Sequence, residues 1–121
     1  MERGSAMLAI ALLCVLLFRF QICHAATYNV GGSSNWSFNV AGWPAGQSFK
    51  AGDVLVFNYS ANSHNVVVVN KAGYDSCNTP PGSKIYTSGK DQITLAKGQN
   101  YFICNFPGHC EANMKIAINA A

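Results

Sequence analysis

Asn65-Val66-Val67-Val68-Val69-Asn70 sets four consecutive valines between two asparagines. Branched side chains suit a pleated backbone, and an apolar run without alternation predicts a strand buried on both faces. Residues 53–59, just upstream, alternate Leu55, Phe57 and Tyr59 against Val54, Val56 and Asn58. That period of two predicts a second strand with one face in the core. Further out, residues 26–30 read as a first strand ended by Gly31-Gly32. Residues 92–95 and 100–104 read as strands around a hairpin turn at 96–99. Residues 114–119 close the chain, with Met114, Ile116 and Ile118 on one face. Residues 73–83, containing Pro80-Pro81-Gly82, read as loop. One short helix has room within residues 41–48, although Pro44 and Gly46 interrupt it. From residue 26 onward there are eight Val and five Ile but only two Leu, a strand composition. The expected fold class is all-β, a sandwich or barrel.

Composition narrows the function classes. The 121 residues are 50% apolar and 11% charged, which excludes disorder as the main description. Eight Lys and Arg against five acids, without clusters, make a poor nucleic-acid footprint. The first segment reads as an address. Arg3 precedes an unbroken apolar run at residues 6–18, which is shorter than the roughly 20 residues a bilayer span needs. It suits a secretory signal peptide at residues 1–25, cut after Ala25, with Cys23 and Ala25 as the small residues at −3 and −1. The domain is then residues 26–121, with six Lys, four acids and 42 apolar residues. Cys77, Cys104 and Cys110 remain, together with His64, His109 and Met114 as the domain's whole stock of histidine and methionine. An odd cysteine count in an oxidising compartment leaves one pair and one thiol with another task. Asn35-Trp36-Ser37 and Asn58-Tyr59-Ser60 both fit the N-glycosylation sequon, so Asn35 and Asn58 are candidates, Asn58 within an expected strand.

The stretch Cys104-Asn105-Phe106-Pro107-Gly108-His109-Cys110-Glu111-Ala112-Asn113-Met114 carries the chemistry. It spaces a thiol, an imidazole and a thioether five residues apart between two strands, and His64 stands at the head of the valine strand. Thiolate and thioether favour Cu(I), imidazole serves both oxidation states, and a His₂Cys plane with a long axial Met is a blue-copper geometry. Taken singly, each residue has a plainer reading: Cys104 beside Phe102 and Met114 beside Ile116 would both serve as core filler. Together they spend the domain's inventory in one place.

Residues 26–121 resemble the phytocyanins, the plant blue copper proteins, and in particular the plantacyanin or basic blue protein subgroup. The likeness rests on Tyr28-Asn29-Val30-Gly31-Gly32, Gly52-Asp53-Val54-Leu55-Val56-Phe57, His64-Asn65-Val66 and residues 101–110. It implies a cupredoxin-like two-sheet β-sandwich of Greek-key type, copper ligands at His64, Cys104, His109 and Met114, and a Cys77–Cys110 disulfide. Many members carry Gly before the axial Met. Here Asn113 stands there, the non-glycine residue that best tolerates a positive φ. Stellacyanin-like members carry Gln in place of Met114, and others end in a lipid-anchor signal, whereas only Asn119-Ala120-Ala121 follows the last apolar position here.

The reading is therefore a secreted type 1 copper protein that transfers single electrons in the extracellular matrix or apoplast, with redox signalling as the suggested role. Its expected partner is a small molecule or an extracellular protein. No nucleic acid, no membrane anchor and a monomeric state are expected. No catalytic residue is expected either, because three strong ligands and an axial Met leave no open position for substrate. The rivals are a structural zinc site, which would consume Cys110 and strand Cys77, a thiol enzyme, and a non-metal scaffold like the early nodulin-like relatives.

Overall fold

The computed structural model describes residues 24–121. Most of the leader, through residue 23, therefore lies outside the described residues. Seven strands and one α-helix, besides a 3-10 turn at Gly32–Ser34, follow in the order β1 (Thr27–Asn29), β2 (Val54–Asn58), β3 (Val66–Val69), α1 (Lys71–Ser76), β4 (Lys84–Tyr86), β5 (Lys90–Thr94), β6 (Gly98–Ile103) and β7 (Lys115–Ala120). They form two sheets, one ordered β1-β2-β5 and the other β4-β3-β6-β7. The expected two-sheet β-sandwich is borne out. β1 runs parallel to β2, and every other strand pair is antiparallel.

The alternation in β2 does what period two requires. Leu55 and Phe57 are completely buried, while Val54, Val56 and Asn58 are half-buried. Phe57 sits between Trp36 and Phe102 at ring separations of 5.0 and 5.3 Å, the first edge-to-face. Burying a side chain of this size is worth about 1.5–3 kcal/mol, so the Trp36–Phe57–Phe102 stack is a principal link between the sheets. Met114, Ile116 and Ile118 enter the same core, as their spacing predicts.

The valine strand is covered on both sides. Val66 packs in the sandwich core with Val68 against it, whereas Val67 and Val69 join Ile103, Cys110, Tyr74 and Tyr101 in a second cluster. That second cluster lies under α1, which occupies part of the stretch expected to be loop. The helix forms because Asn70 caps it, its side chain accepting from Gly73 N at 2.8 Å. Cys77 ends it in the left-handed region at φ 56°. Gly73 reads as a breaker in sequence but is a packing residue. A Cβ there would stand 2.7 Å from the Asn78 carbonyl oxygen and 2.9 Å from Val69 Cβ.

Three other expectations need correction. Residues 96–99 are not a hairpin turn, because β5 pairs with β2 in one sheet and β6 with β3 and β7 in the other. The connection crosses between sheets, which a turn signal in sequence does not distinguish. Residues 41–48 form successive tight turns rather than a helix: Ala45 N bonds to the Gly42 carbonyl, Gln47 N to that of Pro44, and Gly46 takes φ 78°. β4 has no counterpart among the expected strands. It is a short edge strand with Ile85 half exposed, so it lacks the pattern that marks a buried strand. Gly31 ends the first strand as expected, and with φ 81° it leaves no room for a Cβ, which would lie 2.0 Å from the Asn35 carbonyl oxygen.

Candidate metal centre

The loop between β6 and β7, residues 104–114, is held by its own backbone. Cys104 N donates to the Met114 carbonyl at 3.0 Å, and Met114 N donates to that of His109 at 3.1 Å. His109 N donates to Phe106 O at 3.1 Å and Asn113 N to Cys110 O at 2.9 Å. The three residues spaced five apart are thereby tied to one another. Asn113 takes φ 63°, the left-handed conformation its position required. Cys77 and Cys110 are disulfide-bonded with a Cα separation of 5.6 Å, joining the end of α1 to the residue after His109. The implied pairing is borne out, and Cys104 is left as a buried free thiol.

His64 reaches this loop from the other side. Its N–H donates to Ser60 O at 3.0 Å in the turn leading into β3. Its imidazole Nδ1 lies 3.1 Å from His109 Nδ1, and Cys104 Sγ lies 3.5 Å from the same His109 nitrogen. The three donor atoms all lie within 4.8 Å of one another. Donor bonds of about 2.0 Å from nitrogen and about 2.3 Å from sulfur, spread by roughly 100–110°, place nitrogens about 3.1 Å apart and sulfur about 3.5 Å from nitrogen. The two separations measured from His109 therefore match donors to one shared ion. Cys104 and Met114 are completely buried, while both imidazoles are half-buried, so the sulfur side is sealed and the imidazole side meets the surface.

Burial disfavours charge on the donors Cys104 and His64. Burial pushes the Cys104 thiol upward, against the pull of the Asn65 and Phe106 N–H groups that bond to its sulfur. Burial also lowers His64, and the neighbouring His109 lowers it further, which keeps its imidazole neutral and able to donate. A cation held between the three atoms offsets the cost of burying the thiolate.

Asn65, quoted in sequence only as part of a motif, proves to be the clamp between the two ligand segments. Its side-chain oxygen accepts from Asn105 N at 3.0 Å and its amide donates to Asn105 Oδ1 at 2.6 Å. Its own carbonyl takes the Trp36 indole N–H at 2.9 Å. Phe38 is a second residue the sequence did not single out. It is 46% exposed, with its ring edge-on to His109 at 4.7 Å and to His64 at 5.5 Å. Asn39 N and Val40 N hold it there by bonding to the Ala112 and Asn113 carbonyls. Tyr59 anchors the turn before His64 by donating to the buried Asp91, and burial followed by that bond pushes its phenol up to about 12.

The two glycosylation candidates differ in their surroundings. Asn35 is exposed, and its side-chain oxygen accepts from Asn29. Asn58 is half-buried in β2, and the very nitrogen a glycan would occupy donates to Asn29 Oδ1 at 2.5 Å. A glycan is therefore expected at Asn35 and not at Asn58. Glycosidase treatment of secreted protein should lower its mass by one glycan, and Asn35→Gln should abolish that change.

Comparison with known proteins agrees with this geometry. The family model of the plastocyanin-like domain matches residues 33–114. A basic blue protein of Cucumis sativus is 64% identical over 95 residues, covering 78% of this chain and 99% of that protein. A basic blue protein of Arabidopsis thaliana is 57% identical, covering 97% of this chain and 91% of that protein. The solved structure of the cucumber basic protein, a blue copper protein, superimposes with a TM-score of 0.79, covering 79% of this chain and all of that one.

Proposed function

The chain belongs to the plastocyanin-like family, and from that premise we propose that His64, Cys104, His109 and Met114 hold the copper of a secreted electron carrier. It is a blue copper protein of the basic blue kind. Copper supplies one-electron exchange between Cu(I) and Cu(II). The observation that carries the ligand assignment is the convergence of Cys104 Sγ with the His64 and His109 nitrogens at the end of the sandwich. Met114, buried and bonded through its backbone to both Cys104 and His109, is the one remaining soft donor among the described residues. The chain's part is to keep these four side chains still. The Asn65–Asn105 clamp and the Cys77–Cys110 bond fix both ligand segments, so little rearrangement accompanies a change of charge. The half-buried imidazoles form the exit, and Phe38 offers an apolar surface beside them where a small molecule or an extracellular protein can approach.

A structural zinc centre is not favoured, because Cys110 is committed to a disulfide and only one thiol remains among the described residues. The role is electron transfer rather than catalysis, since a filled ligand set leaves substrate no position. Secretion to the apoplast fits the apolar leader, and among the described residues no helix is long and apolar enough to cross a membrane. Redox signalling in the matrix is the process this placement suggests.

Voltammetry of Met114 variants tests the ligand reading. A thioether stabilises Cu(II) less than an amide oxygen does. Met114→Gln is expected to stay blue and lower the reduction potential, whereas Met114→Leu removes the thioether donor and raises it. Equal shifts, or none, would show Met114 to be packing alone.

A further inference from the structure

Asp53 is a carboxylate only 2% exposed, and among the described residues no Lys, Arg or His nitrogen lies within 4.0 Å of it. Buried carboxylates ordinarily sit beside a cation, because desolvation penalises the charge. Backbone N–H groups occupy its two oxygens instead: Lys50 N bonds to Oδ2 and Ala26 N to Oδ1, both at 2.9 Å. The other buried carboxylate, Asp91, takes hydroxyl donors from Tyr59 and Ser88, and neither of those becomes a cation. Ala26 N is different. It is the atom that the expected cut after Ala25 converts from an amide into an amine.

We propose that Asp53 is the built-in acceptor for the terminal ammonium that processing creates at Ala26. The proposal rests on the secretory reading above. In the cutting step, an endoprotease selecting small residues at −3 and −1 adds water across the Ala25–Ala26 peptide bond. Hydroxyl goes to the Ala25 carbonyl and hydrogen to Ala26 N, which takes a further proton from solvent at neutral pH. The neutral hydrogen bond to Asp53 thereby becomes charge-assisted without any atom needing to move far.

The local fold marks the same boundary. His24 and Ala25 are exposed and belong to no element, whereas the Ala26 carbonyl already accepts from Val54 N at 2.9 Å. A cut before Ala26 costs the sandwich nothing. A cut after Ala26 would delete both of that residue's bonds and leave Asp53 Oδ1 without its donor. In the folded product the carboxylate thus favours a start at Ala26 over a start at Thr27, because only Ala26 N reaches it.

The test uses the full chain expressed in a secreting eukaryotic host. Terminal sequencing of the product should give Ala26 first; an uncut, unsecreted chain would overturn the secretory reading, whereas a secreted product cut at any other bond would overturn the acceptor proposal alone. A variant with one glycine inserted between Ala25 and Ala26 then yields a secreted product with an amide at Ala26 and its amine one residue away. Urea unfolding should show the folding equilibrium constant reduced roughly tenfold, the scale separating a charge-assisted from a neutral hydrogen bond. In an Asp53→Asn background the insertion should cost nothing. If the product starts at Ala26 but the insertion costs nothing, or costs as much in the Asp53→Asn background as beside the native carboxylate, the acceptor proposal is overturned while the cut site stands. Should Asp53→Asn fail to fold, acylation of the terminal amine decides. Pairing keeps the amine protonated, so the folded protein should react roughly tenfold more slowly at pH 7 than the urea-unfolded chain, and equal rates would contradict the pairing.

Discussion

Cys104→Ser is expected to give a folded protein that stays colourless with Cu(II) and binds it at least about a hundredfold more weakly, since lost supporting contacts alone cost ~10–100-fold. The colour of such a centre arises from charge transfer out of a thiolate, and Cys104 is the chain's free thiol among the described residues. Serine fills almost the same volume in this buried site, and the Asn65 and Phe106 N–H groups remain as donors to its oxygen. A hydroxyl does not ionise there, so the site keeps two imidazoles and a thioether without the anionic donor. Circular dichroism should match the parent while the visible band is absent. A blue Cys104→Ser protein would remove the assignment.

Replacing both disulfide cysteines has its effect on stability instead. The bond joins Cys77 and Cys110 at a sequence separation of 33, and the loop-closure entropy it removes from the unfolded chain is worth about 4 kcal/mol. For a domain near one hundred residues that corresponds to a fall of roughly 20 °C in Tm. Cys77→Ala with Cys110→Ala should therefore unfold far earlier in urea, yet remain blue in the cold, because neither sulfur belongs to the donor set. A loss below about 1 kcal/mol would mean that α1 and the ligand loop are held together by other contacts.

Sequence period carried the reading where a strand has a defined face. Leu55 and Phe57 announce the core side of β2, and the four valines of β3 announce burial on both faces. What covers the outer face was not legible. α1 is only six residues, contains Gly73 and precedes two prolines, so its local signals are those of a loop. It exists because Asn70 caps it and Gly73 lets it lie against Val69. Sheet membership was hidden for a related reason: the turn before Gly98 looks the same whether the next strand returns beside β5 or crosses to β3 and β7.

The donor set was more legible than its supports. Cys104, His109 and Met114 declare themselves by spacing and scarcity, and Asn113 by the conformation its position demands. Asn65, Phe38 and Tyr59 act across 26 to 71 residues of chain, on Asn105, the histidine pair and Asp91. Nothing in their local pattern marks those contacts. Asp53 belongs to the same class, since its partner at Ala26 is visible only once β1 lies beside β2.

The central claim is that one copper ion sits between Cys104, His64 and His109. Titrating Cu(II) into the purified, metal-free secreted protein while recording the visible spectrum tests it most directly. The expected result is an intense blue thiolate band that grows linearly and stops at one copper per chain. A solution that stays colourless through one equivalent, with Cys104 still reduced and the domain still folded, would contradict it.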